Sequence, residues 1–143
     1  MRVLLFSVGD ELFAAPLIAI LESLDNPRVL PVPGADDHAR GVLDLRGRRV
    51  AAYSPAAALN IDLTGEPGAA LLLESDGDGP PIALLISDVD DVLDVDEADV
   101  RAAPGAADPD GILLGVIQLG GRLVSLVDPA AIREVCLAAK ARS

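Results

Sequence analysis

The stretch Gly41-Val42-Leu43-Asp44-Leu45-Arg46-Gly47-Arg48-Arg49-Val50 returns in altered form as Gly115-Val116-Ile117-Gln118-Leu119-Gly120-Gly121-Arg122-Leu123-Val124. Carried on to Ala57 and Ala131, the match keeps nine identities in 17 positions at a constant offset of 74 residues. Each copy flanks a short turn with apolar or alternating residues, the signature of a β-hairpin. The chain therefore reads as two copies of one supersecondary unit, and function is expected where the copies differ. Gly120 suits a tight hairpin turn, whereas the first copy puts Arg46 at that position, giving up turn comfort for a planar charged fork.

Working outward, beside Gly47-Arg48 and Gly120-Gly121 of the two copies, hairpin signals punctuate the chain at Gly9-Asp10 and Asp76-Gly77-Asp78-Gly79. Leu4-Leu5-Phe6 and Leu12-Phe13-Ala14-Ala15 flank the first of these. Leu71-Leu72-Leu73 and Ile82-Ala83-Leu84-Leu85-Ile86 flank the next, so the repeat extends to pairs of hairpins. Short strands with frequent Gly and Pro favour small closed barrels, which leave no unpaired edge. Pro16-Leu17-Ile18-Ala19-Ile20-Leu21-Glu22-Ser23-Leu24 reads either as a buried strand or as one helical turn continuing as a strand. Pro27, Pro31 and Pro33 hold the next connection extended. Ser54-Pro55-Ala56 and Asp128-Pro129-Ala130 each place a capping residue before proline, so both predict helix starts, the second running to about Ala139.

At 143 residues the expectation is one domain, residues 1–143, built from two barrel-like halves. The hydrophobic fraction is 51%, yet Phe6, Phe13 and Tyr53 are the only aromatic residues, so the core must be aliphatic. With 23 acidic against 11 basic residues the net charge is −12, and such a field repels phosphate backbones and anionic lipid. Nucleic acid and direct membrane contact are excluded as partners on that ground. Four of the basic residues, Arg40, Arg46, Arg48 and Arg49, gather around the first hairpin. They form either a solvated hairpin tip or a partner-facing patch. Cys136 has no second cysteine to pair with, and Gly9-Asp10 interrupts the N-terminal apolar run too early for a signal peptide, so a cytoplasmic location is expected.

Catalytic chemistry finds little support. His38, the lone histidine, sits beside Asp36 and Asp37 in a proline-flanked loop without a nucleophile signature, and reads as a loop histidine rather than part of a triad. No phosphate-binding glycine motif occurs. Asp88-Val89-Asp90-Asp91-Val92-Leu93-Asp94-Val95-Asp96-Glu97-Ala98-Asp99 carries many carboxylates but lacks the loop glycine and closing glutamate of a calcium site. It predicts a strand packed by valine on one face and solvated by aspartate on the other. The expectation is a non-enzyme without cofactor or metal.

With these residues in view, the chain resembles the CheW family of chemotaxis coupling proteins over nearly its whole length. Pro31-Val32-Pro33 followed by Gly41-Val42-Leu43-Asp44-Leu45-Arg46-Gly47 carries the specific part. Phe6-Ser7-Val8-Gly9-Asp10-Glu11, Ile86-Ser87-Asp88-Val89-Asp90-Asp91-Val92, Val100-Arg101-Ala102-Ala103-Pro104 and Gly115-Val116-Ile117-Gln118-Leu119 support it. The resemblance implies an all-β fold of two intertwined SH3-like five-stranded barrels with short helical segments. It implies a non-catalytic adaptor that joins the cytoplasmic tip of methyl-accepting chemoreceptors to the regulatory domain of a CheA-type histidine kinase within a receptor-associated array. Other CheW-like proteins are further partners of this kind.

By position, the resemblance assigns receptor binding to Ile20, Glu22 and Arg46, with Val89, Val92 and Val95 as a facing wall. Aliphatic anchors would give affinity and the charges would fix register. Where the family usually reads Pro-Val-Ile-Asp-Leu-Arg, this chain has Ala51-Ala52-Tyr53-Ser54-Pro55-Ala56. The kinase-facing positions Tyr53, Ser54 and Ala56 thus lack an acid and an arginine. A divergent accessory protein that binds receptor and only weakly binds kinase is the alternative expectation.

Overall fold

The computed structural model describes residues 1–143 apart from 36–38, 62–65, 75–79, 103–107, 109 and 143, and for 139–142 the backbone alone. The expected Asp76–Gly79 turn and His38 lie outside the described residues. Among the described residues, twelve strands form two six-stranded sheets. In chain order they are β1 (Arg2–Val8), β2 (Glu11–Pro16), β3 (Glu22–Asp25), β4 (Val29–Leu30), β5 (Ala39–Leu45), β6 (Arg48–Tyr53), β7 (Ala69–Leu73), β8 (Ile82–Ile86), β9 (Asp88–Asp94), β10 (Val100–Arg101), β11 (Leu113–Leu119) and β12 (Arg122–Val127). One α-helix, α1 (Pro129–Arg142), follows.

One sheet runs β10-β11-β12-β2-β1-β9 and the other β3-β7-β8-β6-β5-β4. The first half of the chain therefore lends its hairpin β1–β2 to the sheet made by the second half, and the second half lends β7–β8 in return. Parallel pairs seal both exchanges, Ser125 and Leu126 of β12 against Phe13 and Ala14, and Ala51 to Tyr53 of β6 against Ile82 to Leu84. The barrels are intertwined as expected, with six strands each rather than five once the two-residue β4 and β10 are counted.

The exchanged hairpins have to be apolar on both faces, which accounts for their near-continuous hydrophobic runs. Val3, Leu5 and Ala14 fill one barrel together with Ile117, Val124 and Leu126. Ala70, Leu72, Ala83 and Leu85 fill the other with Leu43, Val50 and Ala52. Their alternate residues, Leu4, Phe6, Phe13 and Ala15 from one hairpin and Leu71, Leu73, Ile82, Leu84 and Ile86 from the other, meet in a third core between the barrels. Phe6 stacks on Phe13 there at 5.9 Å between centroids. Cys136 is fully buried in the same core.

The repeated hairpins behave as one design. β5 and β11 share one pattern of burial along seven residues, and β6 and β12 share another along six. Both carry a register shift at the same point, between Ala39 and Gly41 and between Leu113 and Gly115. A Cβ on Gly41 would lie 2.2 Å from the Leu30 carbonyl oxygen, and one on Gly115 would lie 2.6 Å from Val100 Cγ1. The repeated glycine thus lets β4 and β10 cross close over their barrels.

After the hairpins the copies part. Asp128 Oδ1 accepts from the Ala130 amide at 3.0 Å and opens the 14-residue helix α1. Ser54 Oγ accepts from the Ala56 amide at 3.3 Å, but only a turn follows, closed by Leu59 N to Pro55 O and Ile61 N to Ala56 O. Asn60 adopts φ 59°, a left-handed conformation that ends helices. The predicted first helix is therefore one turn.

Candidate functional site

A single turn at Leu17–Ala19 leads into β3, the second of the two readings of that segment. The Leu21 amide bonds the Leu72 carbonyl at 2.8 Å, and Glu22 pairs with Leu72, so the strand is anchored where Glu22 projects. Arg46 reaches the same carboxylate from the tip of the β5–β6 hairpin. Its Nη2 lies 2.6 Å from Glu22 Oε1. β3 is one edge of its sheet and β5 lies four positions away, so this bond spans the mouth of the curled barrel.

The backbone beneath Arg46 is unusual. Arg46 has φ 50° and Gly47 φ 84°, matching φ 53° and 81° at Gly120 and Gly121. Both hairpins thus use the same mirror-type turn, but the first forces a side-chain-bearing residue into a left-handed conformation that costs about 1–2 kcal/mol. Asp44 Oδ1 accepts from the Gly47 amide at 3.0 Å and helps close the turn. The ion pair offsets little, because the Arg46 side chain is 73% exposed and that of Glu22 34%, and such pairs contribute about 0–1 kcal/mol. The strain is thus held on an exposed charged tip and is not recovered by the bond that the tip makes.

Ile20 and Val89 are half-buried and both lean on the core between the barrels. Val92 is 43% exposed on β9, an edge strand. Residues three apart on a regular strand face opposite ways. Here, however, the register shifts between Leu5 and Phe6, so that Val92 pairs with Leu4 and Val89 with Phe6. This bulge turns both valines to the face that carries Leu4 and Phe6. Val95 behaves differently. It is 7% exposed and packs inside the β9–β12 barrel with Val3, Leu5 and Ile117, so it braces the wall from within and offers no surface. The evenly alternating valine face expected for β9 is corrected accordingly.

Tyr53, Ser54 and Ala56 are also buried, Tyr53 and Ala56 in the central core. Tyr53 is carried inward by the pairing of β6 with β8, and the side chains of Ser54 and Ala56 are buried in the turn that follows, so none of the three presents a contact face. Sequence reasoning also missed Ile18, the most exposed large apolar side chain at 97%, and Arg133, which is buried and donates to the Glu74 carbonyl. Both sit in patterns that read as ordinary helix or core. Among the described residues no group of three or more His, Cys, Asp or Glu could hold a metal, and no helix is long and apolar enough to cross a membrane.

Two barrels that exchange hairpins, with a charged pair across one mouth, define the class: a paired-barrel β domain. Residues 2–135 match the family model of the CheW-like domain, and the chain belongs to that family. It is 26% identical over 125 residues to the chemotaxis protein CheW of Rhizobium meliloti (strain 1021), covering 86% of this chain and 81% of the relative. Its fold is similar to the crystal structure of the scaffolding protein TtCheW from Thermoanaerobacter tengcongensis, with a TM-score of 0.78 at 16% identity, over 92% of this chain and 90% of that one.

Proposed function

We propose that this protein is a non-catalytic chemosensory adaptor that holds the cytoplasmic tip of a methyl-accepting chemoreceptor through Arg46, Glu22 and Ile20, with Val89 and Val92 as the apolar wall. The observation that carries this reading is the strained, exposed Arg46 fixed to Glu22 at 2.6 Å. A receptor tip is a helical hairpin, and aliphatic anchors beside a pre-oriented arginine suit such a surface. The second partner is a CheA-type kinase regulatory domain, and array association in the cytoplasm follows from the two contacts. Ser54 and Ala56, buried and uncharged, favour a receptor-biased variant, since no charged pair stands at these positions. Any kinase contact would then rest on surface residues around them.

Calorimetry with a receptor signalling-tip fragment tests the reading. Arg46→Glu should weaken binding by about 2 kcal/mol or more, as loss of an interface arginine does, while the circular dichroism spectrum stays unchanged. Equal affinity for variant and parent would assign Arg46 a role confined to the hairpin. In the same series, kinase-domain binding as tight as receptor binding would remove the receptor-biased variant.

A further inference from the structure

A recess lies beside the Leu17–Ala19 turn; its Leu21 sits between Ile20 and Glu22 in the chain, but its other walls come from β7 and α1 rather than from the Arg46 hairpin. Its volume is about 180 Å³. Ile18 and Leu21 form one wall, Leu73 and Glu74 at the end of β7 the floor, and Ala130 and Arg133 of α1 the other wall. Leu21 is 51% exposed, and Ile18 stands almost fully in water. Two large aliphatic side chains are thus left exposed side by side with a cavity, a patch that burial by a partner would favour.

Beyond the recess, the same side of the helix carries a further exposed apolar residue. Ala130, Arg133 and Leu137 fall at i, i+3 and i+7, so they share one stripe of α1, and Leu137 is itself exposed. That stripe is about 10 Å long, two helical turns. The rim is acidic: Glu74 and Glu134 are both exposed. The Arg133 guanidinium donates inward to the Glu74 carbonyl and pairs with Glu134 Oε1 at 3.4 Å, so it offsets part of the Glu134 charge and leaves the Glu74 carboxylate as the stronger acidic point of the rim. The whole chain adds a net charge of −12.

We infer that this recess is a second protein-docking site, and that it takes one face of a basic amphipathic helix from a partner. Aliphatic residues at i, i+3 or i+4 and i+7 on that helix fill the cavity between Ile18 and α1, and flanking lysine or arginine meets Glu74 and Glu134. Charge decides the occupant. A second copy of this chain would bring another 12 net negative charges to an acidic rim, and an acidic peptide would meet the same repulsion.

The probe is a fluorescent synthetic helix of about four turns, with leucines at that spacing and lysines on its flanks, titrated against the full chain at two salt concentrations. Binding is expected, weaker at high salt, and about tenfold weaker for Ile18→Asp, the loss typical of an interface anchor. Ile18 is exposed, so this variant keeps its fold, and its binding of a receptor fragment should match the parent's. Glu74→Lys should weaken the lysine probe and strengthen a glutamate-flanked one. Equal affinity of parent and Ile18→Asp for the probe, or equal affinity of the parent for lysine and glutamate probes, overturns the inference. Concentration-dependent dimerisation abolished by Ile18→Asp would overturn it too, by making a second copy the occupant. Peptide binding is read without any receptor, so failure here and failure of the Arg46 reading are distinguishable.

Discussion

The β5–β6 and β11–β12 hairpins are the same object inside and different objects outside. Leu43, Val50 and Ala52 correspond to Ile117, Val124 and Leu126, each buried in its own barrel. On the outer positions the first hairpin carries Arg40, Asp44 and Arg49 where the second carries Leu114, Gln118 and Leu123. At the tip it carries Arg46 where the second has Gly120. Burial holds inward residues to aliphatic side chains, though not to one volume, since Ala52 stands against Leu126, whereas outward residues are held only by what they touch. The divergence is therefore concentrated where partners would reach.

The largest expected effect tests whether this inside–outside division holds just beyond the hairpins. Ala56 is 6% exposed in the central core, while its counterpart Ala130 is half-buried on α1. Ala56→Arg would drive a guanidinium into an aliphatic core and should cost about 3–5 kcal/mol, the penalty of an uncompensated buried charge. Ala130→Arg should change stability by less than about 1 kcal/mol. Thermal unfolding of the two variants reads the difference. Similar melting temperatures would mean that position 56 reaches water, and that a charged pair at 54 and 56 can be restored as a surface.

Much of the fold was legible, for physical reasons that particular residues make plain. The offset of 74 shows in the sequence because Gly41 and Gly115 both yield to a crossing strand, and because inward apolar positions cannot drift far. Leu71-Leu72-Leu73 and Ile82-Ala83-Leu84-Leu85-Ile86 announced strands buried on both faces. Arg46 stood out because glycine occupies the same turn in the other copy. Three features were illegible. The bulge that aligns Val89 with Val92 depends on the pairing of β9 with β1, a long-range register that local sequence does not encode. Ser54-Pro55-Ala56-Ala57 has the grammar of a helix start, but Asn60 stops it after one turn. Ile18 sits in an apolar run that suggests burial, and only the three-dimensional course of the chain exposes it.

A middle-sized effect sharpens the shared half of the comparison. Gly41→Ala places a methyl group 2.2 Å from the Leu30 carbonyl oxygen at φ 150°, while Gly115→Ala meets first the movable Val100 side chain and then the Arg101 carbonyl at 2.7 Å. Both should destabilise by about 1–3 kcal/mol, as overpacking does, with Gly41→Ala the worse because backbone yields less readily than a side chain. Chemical denaturation at constant m-value checks the order. A neutral Gly41→Ala would mean that β4 can lift from the barrel without loss.

The smallest effect is the most discriminating, because it makes the two hairpins alike at the tip. Arg46→Gly relieves a side chain held at φ 50° and removes the exposed bond to Glu22, so the two contributions oppose each other. The backbone term is about 1–2 kcal/mol in favour of glycine, from which the greater freedom of glycine in the unfolded chain subtracts about 0.4–1 kcal/mol. The lost ion pair subtracts at most about 1 kcal/mol more, and for a pair this exposed much less. The net expectation is a protein within about 1.5 kcal/mol of the parent's stability, centred slightly in favour of glycine, that binds the receptor tip more weakly. Stability and binding should therefore separate at one residue, measured by melting temperature and calorimetry on the same preparation. If Arg46→Gly instead melts several degrees lower, the Arg46–Glu22 bond is closing the barrel mouth, and the strain beneath Arg46 serves the fold rather than the partner.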